Sequence, residues 1–162
     1  MPSSVLIALG SNLGDRAWML RRAVAELRGE IDVVRISSFV ETEPVEAPAG
    51  SPRFLNAVVA GCTERPARAL LDSLLRIELR LGRRRTVRNA PRFIDLDLIL
   101  YSAQVVRSKT LTIPHPRYLQ REFVLGPMRE LGLDWRDPAS KMRVASPVGA
   151  IEISPGLQSW AT

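Results

Sequence analysis

The apolar positions along the chain follow two alternating rhythms. Val5 to Leu9 (VLIAL) is a short continuous apolar run that ends in GSNLGD, the pattern of a buried strand turning tightly into a helix. Ala17, Leu20, Val24 and Leu27 then recur at helical spacing, with Asp15 at the head of the stripe and Gly29 past its end. A β-rich stretch from Ile31 to Val40 leads into TEPVEAPAGSPR, Thr42 to Arg53. At about a dozen residues, a Pro/Gly-rich loop of this kind in a compact domain is usually functional or disordered. FLNAVVAGC reads as another strand, with Phe54, Asn56 and Val58 on one face. Pro66 opens a second helix whose Leu70, Leu74, Ile77 and Leu81 form a buried stripe, closed by Gly82. Beyond the polar RRRTVRNAPR, the pattern predicts a strand over Ile94 to Leu100 and a further one near Val105 and Val106. TIPHPRYLQREFVLGPMREL predicts one short helix and another beginning at Pro127, and the Pro/Ser/Gly-rich tail after Asp134 carries little pattern to assign.

The order strand, helix, strand, strand, helix, strand with a helical C-terminus predicts an α+β sandwich with a mainly antiparallel sheet of ferredoxin-like type. With 162 residues, 46% of them hydrophobic, a single domain over 1–162 can bury a full core, with 134–162 as a weakly assigned tail. The one cysteine, Cys62, lies in an apolar run, which suits a small buried hydrophobe in a reducing cytoplasm. No apolar stretch approaches the roughly 20 residues of a membrane span, and MPSSVLIALG lacks the basic region and cleavage site of a signal peptide, so no membrane association is expected.

Two aspartates interrupt the strand predicted over Ile94 to Leu100. Side chains alternate along a strand, so Phe93, Asp95, Asp97, Ile99 and Tyr101 are expected on one face and Ile94, Leu96, Leu98 and Leu100 on the other. Carboxylates two residues apart on one face lie roughly 7 Å from each other and repel by about 2 kcal/mol at an effective dielectric near 20. Positive charge must lie over them, as arginine salt bridges or as metal. Between Glu78 and Asp95 there is no acidic residue but there are six arginines, Arg80, Arg83, Arg84, Arg85, Arg88 and Arg92, more cation than two acids need. The surplus, like the net charge of +6, calls for an anion. Arginine matches phosphate oxygens bidentately, and Asp-x-Asp offers hard oxygen ligands to Mg²⁺, which binds through one or two carboxylates plus substrate phosphates.

Three other groups are candidates. GSNLGD lacks the spacing of known phosphate loops, and a tight turn, with Asn12 suited to a left-handed conformation, explains Gly10 and Gly14 about as well as phosphate binding does. Phe54 and Asn56 could offer a flat heterocycle a stacking face and an amide, or Phe54 could be ordinary core. Pro114 and Pro116 stiffen the backbone around His115, the only histidine, with Arg117 and Arg121 close in sequence.

ALGSNLGDR (8–16), SSFVETEPV (37–45), FLNAV (54–58), RIELRLGRRR (76–85), RNAPRFIDLDLILY (88–101) and LTIPHPRYLQREFVL (111–125) together resemble the 6-hydroxymethyl-7,8-dihydropterin pyrophosphokinase family, over residues 5 to about 131. The resemblance implies pyrophosphate transfer from ATP to the hydroxymethyl oxygen of the pterin, giving AMP. It puts two Mg²⁺ ions on Asp95 and Asp97, and the phosphates against Arg83, Arg85, Arg92, Arg121 and His115. Thr112 is implied near the ribose, and Glu78 and Leu98 near the adenine. The pterin is implied between Phe54 and Phe123, its edge read by Asn56 and by the segment Thr42, Pro44, Val45. Loops 42–53 and 82–92 correspond to the family's mobile lids. Asn89 and Ala90 replace an aromatic and a glycine of many members, Leu75 a polar residue of some, and Pro116 a tyrosine of some. A monomer with no nucleic-acid partner is expected. The alternatives are another Mg²⁺-dependent phosphoryl transferase or nuclease, or a basic RNA-binding ferredoxin-like module, the last of which would not require Asp95 or Asp97.

Overall fold

Nine residues, Ser3–Ser11, form strand β1, and strands flank both of its edges in a computed structural model that describes residues 1–44, 48–82, 93–132, 135–141 and 143–145. Its unbroken apolar run reflects burial on both faces: Val5, Ile7 and Leu9 join one core, Leu6 and Ala8 another. Helix α1 (Arg16–Leu27) follows, then β2 (Asp32–Ile36), β3 (Val40–Thr42), β4 (Phe54–Thr63), α2 (Ala67–Arg80) and β5 (Asp95–Tyr101). The strand order is β2-β4-β1-β5, with β3 also paired to β4 and every pairing in the sheet antiparallel. This is the predicted ferredoxin-like arrangement, with β4 inserted between β1 and β2.

The first core lies between the sheet and the two long helices, where Leu20, Ala23 and Leu27 of α1 meet Leu70, Leu74 and Ile77 of α2. The second lies on the opposite face, where Leu6, Val58 and Ala60 are covered by Tyr118 of a short 3-10 helix (Tyr118–Gln120) and by Val124 and Met128 of α3 (Glu122–Glu130). Between β2 and β3 the ladder to β4 is kept intact by Ser37, whose N–H donates to the Val58 carbonyl (3.0 Å) while its Oγ accepts from the Val58 N–H (2.8 Å). A hydroxyl thus replaces a ladder carbonyl, and no buried donor is orphaned at the step.

Two sequence expectations fail here for physical reasons. The pairing of β5 with β1 slips between Leu6 and Ile7: Ile7 opposes Leu98 but Leu6 opposes Leu100, leaving Ile99 as the extra residue of a bulge. Beyond it the faces exchange. Tyr101 enters the helix-side core, its hydroxyl donating to the Arg65 carbonyl, and Leu100 turns to the other core. The last helix begins at Glu122 rather than Pro127, which sits inside it and is buried with Val124 and Met128. Tertiary burial outweighs the hydrogen bond that proline removes.

The strand near Val106 is half of a small hairpin, β6 (Val106–Arg107) with β7 (Thr112–Ile113). In the tail, β8 (Trp135–Arg136) pairs with β9 (Arg143–Ala145), and Asp137, 3% exposed, accepts from the Tyr118 hydroxyl (2.6 Å) and the Ser140 N–H (2.6 Å). Burial pushes the Asp137 carboxyl up, but donation from Tyr118, Ser140 and Ala139 outweighs it and holds the group below its ordinary value. Tyr118→Phe keeps the ring in the core and removes a charge-assisted donor, so it is expected to cost about 2 kcal/mol in urea unfolding. A change under about 0.5 kcal/mol would show that the buried bond does not pin this turn.

Candidate active site

Asp95 and Asp97 project from β5 on the face that α3 covers farther along the sheet, and both are partly exposed. Their cross-strand partners on β1 are Gly10 and Ala8, two of the smallest residues, so the space above the carboxylates stays open on that side. Gly10 also pairs with Asn56 of β4, on its other edge. A Cβ at position 10 would lie 3.1 Å from Asn56 Oδ1 and 3.4 Å from Phe54 Cδ1, so both β4 side chains lean over β1 toward the acids. Gly10 therefore serves close approach between side chains on neighbouring strands, a role its place in GSNLGD does not reveal. The left-handed residue of that turn is Gly14 (φ 72°) rather than Asn12, and Asp15 caps α1 by accepting from the Trp18 N–H at 3.0 Å. Asn12 is 2% exposed and donates to the Pro52 carbonyl (3.2 Å). These contacts fit the tight-turn reading of GSNLGD.

Asn56 is itself buried, and its Nδ2 donates to Thr42 Oγ1 at 2.5 Å. The β3–β4 register, with Thr42 opposite Phe54, brings the predicted heterocycle residues together. Pro44 follows, partly exposed; Val45 lies outside the described residues, as do Arg83, Arg85 and Arg92. Phe123 lies on the same face of the sheet, packed against the second core, with the Arg121 guanidinium 5.5 Å from its ring centroid.

The bulge in β5 also places the imidazole. His115 N–H donates to the carbonyl of Ile99, the residue left without a partner on β1, at 2.9 Å. Its Nδ1 accepts from the Arg117 N–H (3.2 Å), so the neutral ring carries its proton on Nε2 as an available donor. Burial, then Arg121, lowers the His115 pKa to about 4, with Arg117 pulling the same way and Asp95 opposing. Arg121 Nη1 stands 3.9 Å from Asp97 Oδ2, a loose ion pair at the rim.

The residues expected near a purine are more dispersed. Glu78, 2% exposed, accepts the Leu96 N–H at 2.7 Å and so caps the outer edge of β5. Leu98 is 5% exposed in the helix-side core, so its side chain does not face the acids. Its N–H points outward like that of Leu96, two residues away, and backbone is what it offers to a ligand at this edge. Thr112 is exposed on β7, its hydroxyl directed at the Ser108 carbonyl (3.4 Å). Away from the site, burial and then Asp32 push the Cys62 thiol up, the reverse of an activated thiolate.

Partly exposed carboxylates side by side, with small neighbours and a cationic rim, suit a hard divalent cation that shares its ligands with phosphate. Among the described residues, no cluster of three or more His, Cys, Asp or Glu side chains forms a closed metal cage. Asp95 and Asp97 are thus an incomplete donor set, of the kind Mg²⁺ uses when phosphates supply the remaining ligands.

For His115 the sign of the pH effect follows from its lowered pKa of about 4. Below its ordinary value near 6.5 the unfolded chain takes up a proton that the folded protein refuses until about pH 4, so stability falls as pH falls through that window. Proton NMR of the isolated protein is expected to show the imidazole titrating well below pH 6; a midpoint at 6.5 or above would contradict this environment.

Residues 6–132 match the family described as 7,8-dihydro-6-hydroxymethylpterin-pyrophosphokinase (HPPK). The chain is 41% identical over 133 residues to the 2-amino-4-hydroxy-6-hydroxymethyldihydropteridine pyrophosphokinase of Bacillus subtilis, covering 81% of this chain and 79% of that protein. Its identity to the Pseudomonas aeruginosa protein of the same name is 36% over 162 residues, covering 96% and 99%. The mitochondrial folate synthesis bifunctional protein of Arabidopsis thaliana is 44% identical over 128 residues, and the chain spans only 23% of its length. In fold, the crystal structure of Plasmodium falciparum HPPK-DHPS with pterin and p-hydrobenzoate aligns at a TM-score of 0.67 over 89% of this chain and 43% of that one, at 12% identity. The match over most of the chain and the level of identity to these relatives lead to one conclusion: the chain belongs to the 7,8-dihydro-6-hydroxymethylpterin-pyrophosphokinase family, the pyrophosphokinases of folate synthesis.

Proposed function

We propose that the chain transfers pyrophosphate from ATP to the hydroxymethyl oxygen of 6-hydroxymethyl-7,8-dihydropterin. The observation that carries this is the juxtaposition, across three neighbouring strands, of Asp95 on β5, Gly10 on β1, and Phe54 with Asn56 on β4. An acid pair that suits a metal–triphosphate thus lies one small residue away from a ring and an amide that suit a flat heterocycle.

In the reaction the hydroxymethyl oxygen attacks the β-phosphorus, and the bond from that phosphorus to the oxygen bridging it to the α-phosphorus breaks. AMP leaves with the bridging oxygen, and the hydroxyl proton is released. No covalent enzyme intermediate is required. Phe54 and Phe123 stack the pterin, while Asn56, Thr42, Pro44 and Val45 read its edge. His115 donates from Nε2 to a phosphate oxygen, and Arg121 leaves Asp97 for the polyphosphate, joined by Arg83, Arg85 and Arg92, which stabilise the charge of the transition state. Thr112 lies near the ribose, with Glu78 and the Leu98 backbone near the adenine. Two Mg²⁺ ions held by Asp95 and Asp97, when bound, supply charge withdrawal from the triphosphate and orient the attacking oxygen. The protein acts as one domain, a cytoplasmic monomer with small-molecule partners and no nucleic acid. Among the described residues no helix is long and apolar enough to cross a membrane.

Incubation with ATP, Mg²⁺ and the pterin is expected to release AMP; ADP alone would indicate transfer of a single phosphoryl group. Asp97→Ala is expected to lower turnover by about 10³-fold or more, with the thermal midpoint within about 2 °C of the parent, since it removes a repelling charge from a partly exposed position. Undiminished AMP release by this variant would reject the metal assignment.

A further inference from the structure

We propose that Arg16 is a positioning residue for the pterin side of the site, a buckle that ties both ends of segment 42–53 to the start of α1. This rests on the pterin reading above. The Arg16 Nη2 is 2.8 Å from Glu41 Oε1, and its Nη1 donates to the Arg53 carbonyl at 2.9 Å. Glu41 immediately precedes Thr42, and Arg53 immediately precedes Phe54. One planar guanidinium therefore bridges the two points at which the segment leaves and rejoins the sheet, a span suited to its fixed fork of donors.

Helix chemistry gives Arg16 no reason to be where it is. It is the first residue of α1, where the macrodipole disfavours a cation by about 0.3–1 kcal/mol, and Asp15 already caps the helix. The Glu41 carboxylate and the Arg53 carbonyl supply the missing compensation. Asn12, from the same turn, holds the adjoining Pro52 carbonyl, so the β1–α1 turn grips two consecutive carbonyls at one end of the segment. The other tie across the segment, Glu43 to Arg53 at 2.6 Å, has both side chains more than half exposed, where such pairs contribute little. The Arg16 and Glu41 side chains are 30% and 44% exposed, less than that pair, and Arg16 adds a bond to a backbone carbonyl.

What the buckle protects is the register between β3 and β4. Strand β3 has only three residues, and Thr42 is its last, opposite Phe54 and bonded to Asn56. A ladder so short frays at its end unless something outside it holds both strands. Releasing Arg16 would loosen Thr42 against Phe54 and Asn56 while leaving β5 and its carboxylates in place. The expected signature is therefore selective for one substrate.

Pterin binding is measured by fluorescence in the presence of α,β-methylene-ATP and Mg²⁺, alongside the KM for each substrate and hydrogen exchange of the backbone amides. Arg16→Ala is expected to weaken pterin binding about tenfold and raise its KM to match, with ATP affinity within about twofold, and to speed exchange at 41–44 and 54–56 but not in β5. Arg16→Lys should fall between, because one ammonium can meet Glu41 but cannot also reach the carbonyl with fork geometry. Should Arg16→Ala fail to fold, Glu41→Ala opens the buckle from its other end and is expected to show the same selectivity. Unchanged pterin affinity, or equal weakening of both substrates, would overturn the inference. If the parent protein itself binds no pterin, the functional reading falls and this inference with it; parent binding matched by Arg16→Ala removes the inference alone.

Discussion

Two carboxylates that project side by side from an otherwise apolar strand repel one another unless positive charge meets them, and the groups around Asp95 and Asp97 answer to that constraint. Strand β5 is nearly all buried except at Asp95 and Asp97. At that end its neighbour β1 offers Gly10 and Ala8 rather than bulk, His115 is kept neutral, and Arg121 stands at the edge of ion-pair range of Asp97. In the proposed reaction metal and phosphate replace the 3.9 Å Arg121–Asp97 contact, and Arg121 moves to the phosphate in the same step.

One inserted residue connects the strand to the segment that carries His115 and Arg121. The bulge at Ile99 frees a carbonyl that His115 takes up, and it reverses the faces of Leu100 and Tyr101 so that both cores remain filled. The acids lie on one side of the bulge and the core contacts of Tyr101 on the other, so the strand serves a site and a sandwich at once. Behind the same segment, Tyr118 carries its hydroxyl to Asp137 and pins the chain between His115 and Arg121 to the final hairpin. The side formed by Thr42, Phe54 and Asn56 is held differently, through a short β3 ladder and side chains from the β1–α1 turn and the start of α1.

Features set by local periodicity were legible in the sequence. The stripes of α1 and α2, the two-sided burial of β1 and the intrusion of Asp95 and Asp97 into an apolar run are visible within a few residues of chain. Features set by distant partners were not. A bulge is a property of two strands, so Tyr101 could not be assigned its face from alternation. Pro127 reads as a helix start because the burial of Val124 and Met128 that carries the helix through it comes from the sheet. Asp137 and Arg16 look like ordinary surface charges until their partners, 19 residues away for Tyr118 and 37 for Arg53, are brought to them. The family resemblance puts Leu98 near the nucleotide, and the fold turns its side chain to the core, which leaves only its backbone for that role.

In the proposed reaction the acid pair is completed by cations that arrive with a polyphosphate. Counting bound Mn²⁺ by electron paramagnetic resonance, with and without α,β-methylene-ATP, tests it most directly. Two tightly held ions per chain are expected only when the nucleotide is present, and they are expected to be lost when either acid is replaced by its amide. Nucleotide bound with no metal at the carboxylates, and Asp97 still resting on Arg121, would contradict it.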